Sequence, residues 1–124
     1  MAEPINHEVI GPIEDPTHPI RRLDTVDLIS EKKTGGIMLA IIAGGALGDD
    51  ARTQTRLVEK IGGYLHYIGS PEFRAEFGEP SPERTTIVVK AHHGSAPVIS
   101  VLLKRCAQWA KESRVSLVLE TTAR

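Results

Sequence analysis

The stretch at residues 35–69, GGIMLAIIAGGALGDDARTQTRLVEKIGGYLHYIG, narrows what this chain can fold into more than any other. It opens on an apolar run, 37–43, in which Ile37, Leu39 and Ile41 alternate with Met38, Ala40 and Ile42. An extended segment with no polar side is a central strand that needs cover on both faces. The run leads into a glycine loop, Gly44-Gly45-Ala46-Leu47-Gly48, and then to Asp49 and Asp50, either of which can cap a helix and complement its dipole. Over 50–68, Leu57, Val58, Ile61, Tyr64, Leu65 and Ile68 fall on one stripe at helical spacing. Arg52, Arg56, Glu59 and Lys60 are assigned to the solvated faces. Gly62-Gly63 inside that helix costs about 1 kcal/mol per glycine relative to alanine, so the pair predicts close approach of another backbone. Gly69 is expected to end the helix in the left-handed conformation.

The flanks complete a domain around this nucleus. Residues 1–20 hold Pro4, Pro12, Pro16 and Pro19 and no Lys or Arg, which predicts an irregular N-terminal arm; residues 21–124 form a single domain. Residues 21–31 read as a strand, joined to 37–43 by a polar turn closed by Gly35-Gly36. Ser70 and Pro71 start a short helical turn through Phe77. Residues 84–91 read as a strand with Ile87, Val89 and Ala91 on one side and Thr86, Val88 and Lys90 on the other. Ser95 is expected to cap a helix with Pro97 in its first turn, and Ile99, Leu102, Leu103, Cys106 and Trp109 form its buried stripe. A last strand, 114–122, sends Val115, Leu117 and Leu119 inward. The order β-β-α-β-α-β predicts an α/β domain of two layers (α+β): a mixed four-stranded sheet with two helices on one face. The far face would carry Met38, Ala40, Ile42, Val88 and Val118, an apolar patch that calls for a partner, most simply a second copy. The N-terminal arm is the other available cover.

Composition removes several function classes. A formal net charge of −1 argues against a general phosphate-backbone binder, so no nucleic-acid partner is expected. One cysteine, Cys106, excludes an internal disulfide and a cysteine-based zinc site, and its place on a buried stripe makes it an inert core thiol. No apolar run reaches membrane-spanning length, and no signal-peptide pattern opens the chain, so a cytoplasmic protein is expected.

Three short motifs carry a resemblance. Val26-Asp27-Leu28-Ile29, Gly35-Gly36 and Tyr64-Leu65-His66-Tyr67-Ile68 are similar to an uncharacterised family of small bacterial proteins, a domain of unknown function, over about residues 24 to 122. The resemblance implies this fold class and a bacterial setting, and implies no activity. The chain departs from the pattern ahead of the first helix, where a tryptophan is expected and Ala46-Leu47-Gly48-Asp49 stands.

Candidate chemistry gathers at one edge. The loop at 43–48 approximates a dinucleotide fingerprint, but Asp49 and Asp50 stand where a pyrophosphate would sit, and no acidic residue closes a strand about twenty positions on. His92 and His93, adjacent on an extended segment, are expected to point to opposite sides. The topology brings Arg21, Arg22, Asp24, Asp49, Asp50, His92, His93, Ser95 and Glu120 to the edge where strand carboxyl ends collect, a usual place for ligands in open α/β sheets. The candidate ligand-binding set is Asp24, Asp49, Asp50, His92 and His93, with the question of a metal left open and no cofactor expected. The expected function is a non-enzymatic protein-association module acting as a homodimer, with a second protein as a further partner. The alternative is a ligand- or metal-binding domain or enzyme using that edge.

Overall fold

The computed structural model describes residues 15–122. Of the arm expected over residues 1–20, positions 1–14 lie outside the described residues. The elements are β1 (Leu28–Glu31), β2 (Ile37–Ile42), α1 (Ala51–Ile68), α2 (Pro71–Phe77), β3 (Thr85–His92), α3 (Pro97–Glu112) and β4 (Ser116–Thr122). The sheet order is β1-β2-β3-β4, with β1 antiparallel to β2 and the other pairs parallel. The mixed four-stranded sheet therefore follows the expected plan. The order gains one helix, because the turn begun at Ser70 runs on as the seven-residue α2. The Ser70 hydroxyl accepts from the Phe73 N–H, and Phe73 packs edge-on to Tyr67 at 5.5 Å between ring centroids.

The core lies on one side of the sheet. Leu39, Ile41, Ile87 and Val89 from the strands cluster with Leu57 and Ile61 of α1 and with Ile99, Leu103 and Cys106 of α3. Both crossover helices thus bury their stripes against the same sheet face. The exit from α3 is a Schellman turn: the Val115 N–H reaches the Ala110 carbonyl at 3.0 Å and the Arg114 N–H reaches the Lys111 carbonyl at 2.9 Å. Arg114 takes φ 65°, and Ala110 and Val115 are both fully buried.

Three expectations are corrected here. Gly69 has φ −80°, not a left-handed conformation, because Ser70 must lead directly into α2. Residues 21–27 are not strand; β1 starts at Leu28. Arg56 and Lys60 are not solvated, being 4% and 1% exposed.

The last two corrections share a cause. Thr53, Arg56, Lys60 and Tyr64 form a second, polar line along α1, and that line holds residues 15–27 as a strap. Arg56 donates to the carbonyl of Ile20 through Nε and Nη2 at 3.0 and 2.8 Å, and to that of Arg21 at 3.1 Å. Lys60 Nζ donates to the carbonyls of Arg22 and Thr25 and to Asp27 Oδ1. The Tyr64 hydroxyl donates to the Ala40 carbonyl at 2.6 Å and accepts from the Asp27 N–H at 2.7 Å. Carbonyls that a strand would turn to its neighbour are taken by helix side chains, so 21–27 forms no continuous strand and keeps only an isolated bridge at Arg22. Asp15, His18 and Ile20 are buried in the same packing, and Asp15 pairs with Arg52.

His18 is fixed as one tautomer by this network. Its Nδ1 accepts from the Ile20 N–H at 2.9 Å, so its Nε2 carries the proton that faces Thr53 Oγ1 at 3.0 Å. Thr53 Oγ1 in turn donates to the Asp50 carboxylate at 2.8 Å. Burial first, and the neighbouring Arg56 second, hold the His18 pKa below its ordinary value. A histidine whose folded pKa is depressed contributes stability above its unfolded pKa and loses it as the pH falls toward the folded one. The urea midpoint is therefore expected to fall as pH drops below about 6.5. His18→Asn, which keeps an acceptor for Ile20, is expected to flatten that slope. Asp50 does not confuse the window. Its bonds from Thr53 hold its carboxyl below the usual value, so its contribution is lost only at more acid pH.

Candidate functional site

The side of the sheet away from the helices carries an unbroken apolar row. Leu28 pairs with Ala40, Ala40 with Val88, and Val88 with Val118, so one residue from each strand stands in a single line across the sheet. Leu28 is 42% exposed and Val118 47%, Val88 is half-buried, and Ala40 is sealed between its neighbours. Two polar borders run beside the row. On one side Ser30, Met38, Thr86 and Ser116 lie in register. On the other, Ile42, 47% exposed, sits beside Lys90, which pairs with Glu120 at 3.6 Å. Met38, Ala40, Ile42, Val88 and Val118 are thus brought onto one face. Leu28 joins them; its signal was the side-chain alternation of β1, which puts Leu28 and Ser30 on the face opposite Ile29.

The strand-end edge is less convergent. Asp50 is the N-cap of α1, its carboxylate accepting from the Thr53 N–H at 3.0 Å. Asp49 is exposed and offers its backbone carbonyl to Gln54 Nε2 at 2.9 Å. His92 and His93 do not point to opposite sides. The chain turns after β3, and their rings stack at 4.3 Å with 27° between planes. His92 Nδ1 accepts from the Gly94 N–H at 2.9 Å. The two histidines line a cavity of about 260 Å³ with Ser95 and Thr121, and none of Asp24, Asp49 and Asp50 reaches its walls. Asp24 pairs with Arg22 at 3.3 Å and opens onto a separate cleft beside Gly63 and His66. Among the described residues no three His, Cys, Asp or Glu side chains are placed to hold a metal ion.

The loops at this edge are tied by backbone bonds. Ser95 does not cap α3; the N-cap is Ala96, with no side-chain bond. The Ser95 hydroxyl instead accepts from the Leu47 N–H at 2.9 Å, and the Leu47 carbonyl accepts from the Ala96 N–H at 2.8 Å. Leu47 itself is 1% exposed. The Gly44 N–H donates to the Pro19 carbonyl at 2.8 Å. The glycine loop is therefore an anchored turn, with three of its backbone groups already engaged.

A feature absent from the sequence reading is a cleft of about 330 Å³ between the end of β2 and the strap. Arg21, Arg22, Asp27 and Lys60 line it, with Pro19 and Ile42 as apolar walls. Cys106 offers no reactive thiol, since burial raises its pKa. No described helix is long and apolar enough to cross a membrane.

A family model, described as a family of unknown function (DUF6572), matches residues 19–123. No curated protein and no solved structure matches the chain.

Proposed function

We propose, for a chain that belongs to a family of unknown function (DUF6572), a non-enzymatic association module that pairs with a second copy of itself across the helix-free sheet face. The row Leu28–Ala40–Val88–Val118 is the observation that carries this reading. An apolar line spanning the full width of a sheet, with hydroxyls along one border and an ion pair along the other, resembles the apolar core and polar rim of an interface. It suits face-to-face sheet packing, in which inner side chains interdigitate at about 10 Å between sheets.

The size of the face sets the strength of the pairing. Four strands about 4.8 Å apart and about six residues long present a footprint of roughly 400 Å². Two such faces bury roughly 800 Å² in total, below the ~1,200 Å² at which stable interfaces begin. The dimer is therefore weak and concentration-dependent. Sedimentation velocity from about 1 μM to 1 mM, the range matched to affinities of that class, should show a monomer passing into a dimer. Val118→Lys is expected to leave only monomer at every concentration with an unchanged unfolding midpoint, because Val118 is already half in solvent. A wild-type chain that stays monomeric at the top of the range, or a Val118→Lys chain that still dimerises, ends this reading.

A further inference from the structure

The cleft between β2 and the strap holds the densest positive charge among the described pockets. Three cations, Arg21, Arg22 and Lys60, line it against one carboxylate, Asp27. The chain as a whole carries a formal charge of −1, so this concentration is local to the cleft. The donors of these cations are spent unevenly. The three protons of Lys60 go to Arg22 O, Thr25 O and Asp27 Oδ1, which leaves it a fixed charge with nothing to donate. Arg22 is paired with Asp24. Asp27 is spent as well, with Oδ1 on Lys60 and Oδ2 accepting from the Ile42 N–H at 2.9 Å. The Arg21 guanidinium makes no hydrogen bond or ion pair among the described residues. It lies over Gly44, with Nη2 3.6 Å from where a Cβ would stand.

We infer that this cleft binds a small organic monocarboxylate, its carboxylate seated on the Arg21 fork and its apolar body against Pro19 and Ile42. The chemistry selects the class. A single guanidinium with free donors matches one planar carboxylate through two parallel bonds. A phosphate dianion seeks more donors than the cleft has left. Apolar walls reward a ligand with a hydrocarbon portion, and the volume lies at the small end of the range for small-molecule sites. The place is also the expected one, since the cleft opens at the carboxyl end of β2. This inference is independent of the dimer reading.

Titration calorimetry of the full chain with butyrate and benzoate, against butyramide and inorganic phosphate, tests it. Saturable binding of either carboxylate is expected, with the amide and phosphate at least tenfold weaker. Arg21→Gln is expected to reduce carboxylate affinity at least tenfold. Arg21 is exposed and contributes to the strap only through its carbonyl, so the variant should unfold at the wild-type midpoint. His93→Ala, at the separate histidine cavity, should bind as wild type. No saturable binding of either carboxylate, equal binding by Arg21→Gln, or phosphate binding as tightly as butyrate would each overturn the assignment.

Discussion

Lys60→Met should lower the unfolding free energy by about 3 kcal/mol or more, read from urea or guanidinium denaturation. The side chain is 2% exposed, and its ammonium satisfies two backbone carbonyls and a carboxylate. Methionine fills a similar volume, so the loss measures the bonds rather than a cavity. Two carbonyls lose their donor, and Asp27 is left with its charge partly buried and only the Ile42 N–H for company. Against a total stability of about 5–15 kcal/mol for a domain this size, that is a large fraction. Adding Asp27→Asn to the variant should return part of the loss, since the stranded charge is removed. A cost under about 1 kcal/mol would mean that the ammonium is solvated and that the strap is not held by it.

Tyr64→Phe comes second, at about 2–3 kcal/mol. The ring stays in the core, so apolar packing is unchanged. What goes is one hydroxyl that both donates to the Ala40 carbonyl and accepts from the Asp27 N–H. This hydroxyl joins α1, β2 and the start of β1 at one atom. Desolvation by burial raises its pKa above the ordinary tyrosine value, against the lowering pull of the hydrogen bond from the Asp27 N–H. Hydrogen exchange supplies a second reading. The Asp27 amide should lose protection in the variant while the amides within β3 keep theirs, because β3 pairs on both sides independently of Tyr64. Equal protection of Asp27 in both chains would show that the hydroxyl is not its acceptor.

These two residues also mark where the sequence was legible and where it was not. Hydrophobic spacing located both long helices and put Leu57, Ile61, Tyr64 and Leu65 on the buried side, because burial of apolar groups has a period. Alternation in β2 and β3 separated Leu39 and Val89, in the core, from Met38 and Val88 on the far face. The candidate interface was readable for the same reason. Arg56 and Lys60 were misjudged because their acceptors are carbonyl oxygens, which every residue carries and no sequence displays. Ser95 was misjudged likewise: beside Pro97 it has the look of a cap, yet its partner is the Leu47 amide, far back in the chain. The glycine pair was half foreseen. Gly63 does meet a backbone, the Leu23 carbonyl at 3.4 Å from the position of a Cβ. A Cβ at Gly62 would stand 3.1 Å from the Trp109 ring, and the indole, expected on the buried stripe, lies 39% exposed across that bare turn. The scattered aspartates had no such signal at all. Asp24 belongs to the strap and sits by α1, so the edge expected to collect Asp24 with His92 is divided between separate cavities.

The grip of α1 on the strap has an asymmetric consequence for how such a chain can change. Carbonyl oxygens at Ile20, Arg21, Arg22 and Thr25 are offered identically whatever side chain each position bears. The helix must supply a long cation at 56 and at 60, while the residues gripped at 20, 21, 22 and 25 answer with their peptide groups. Novelty can therefore accumulate at Arg21 and Arg22, on the lip of a cleft, without loosening the clasp that positions them.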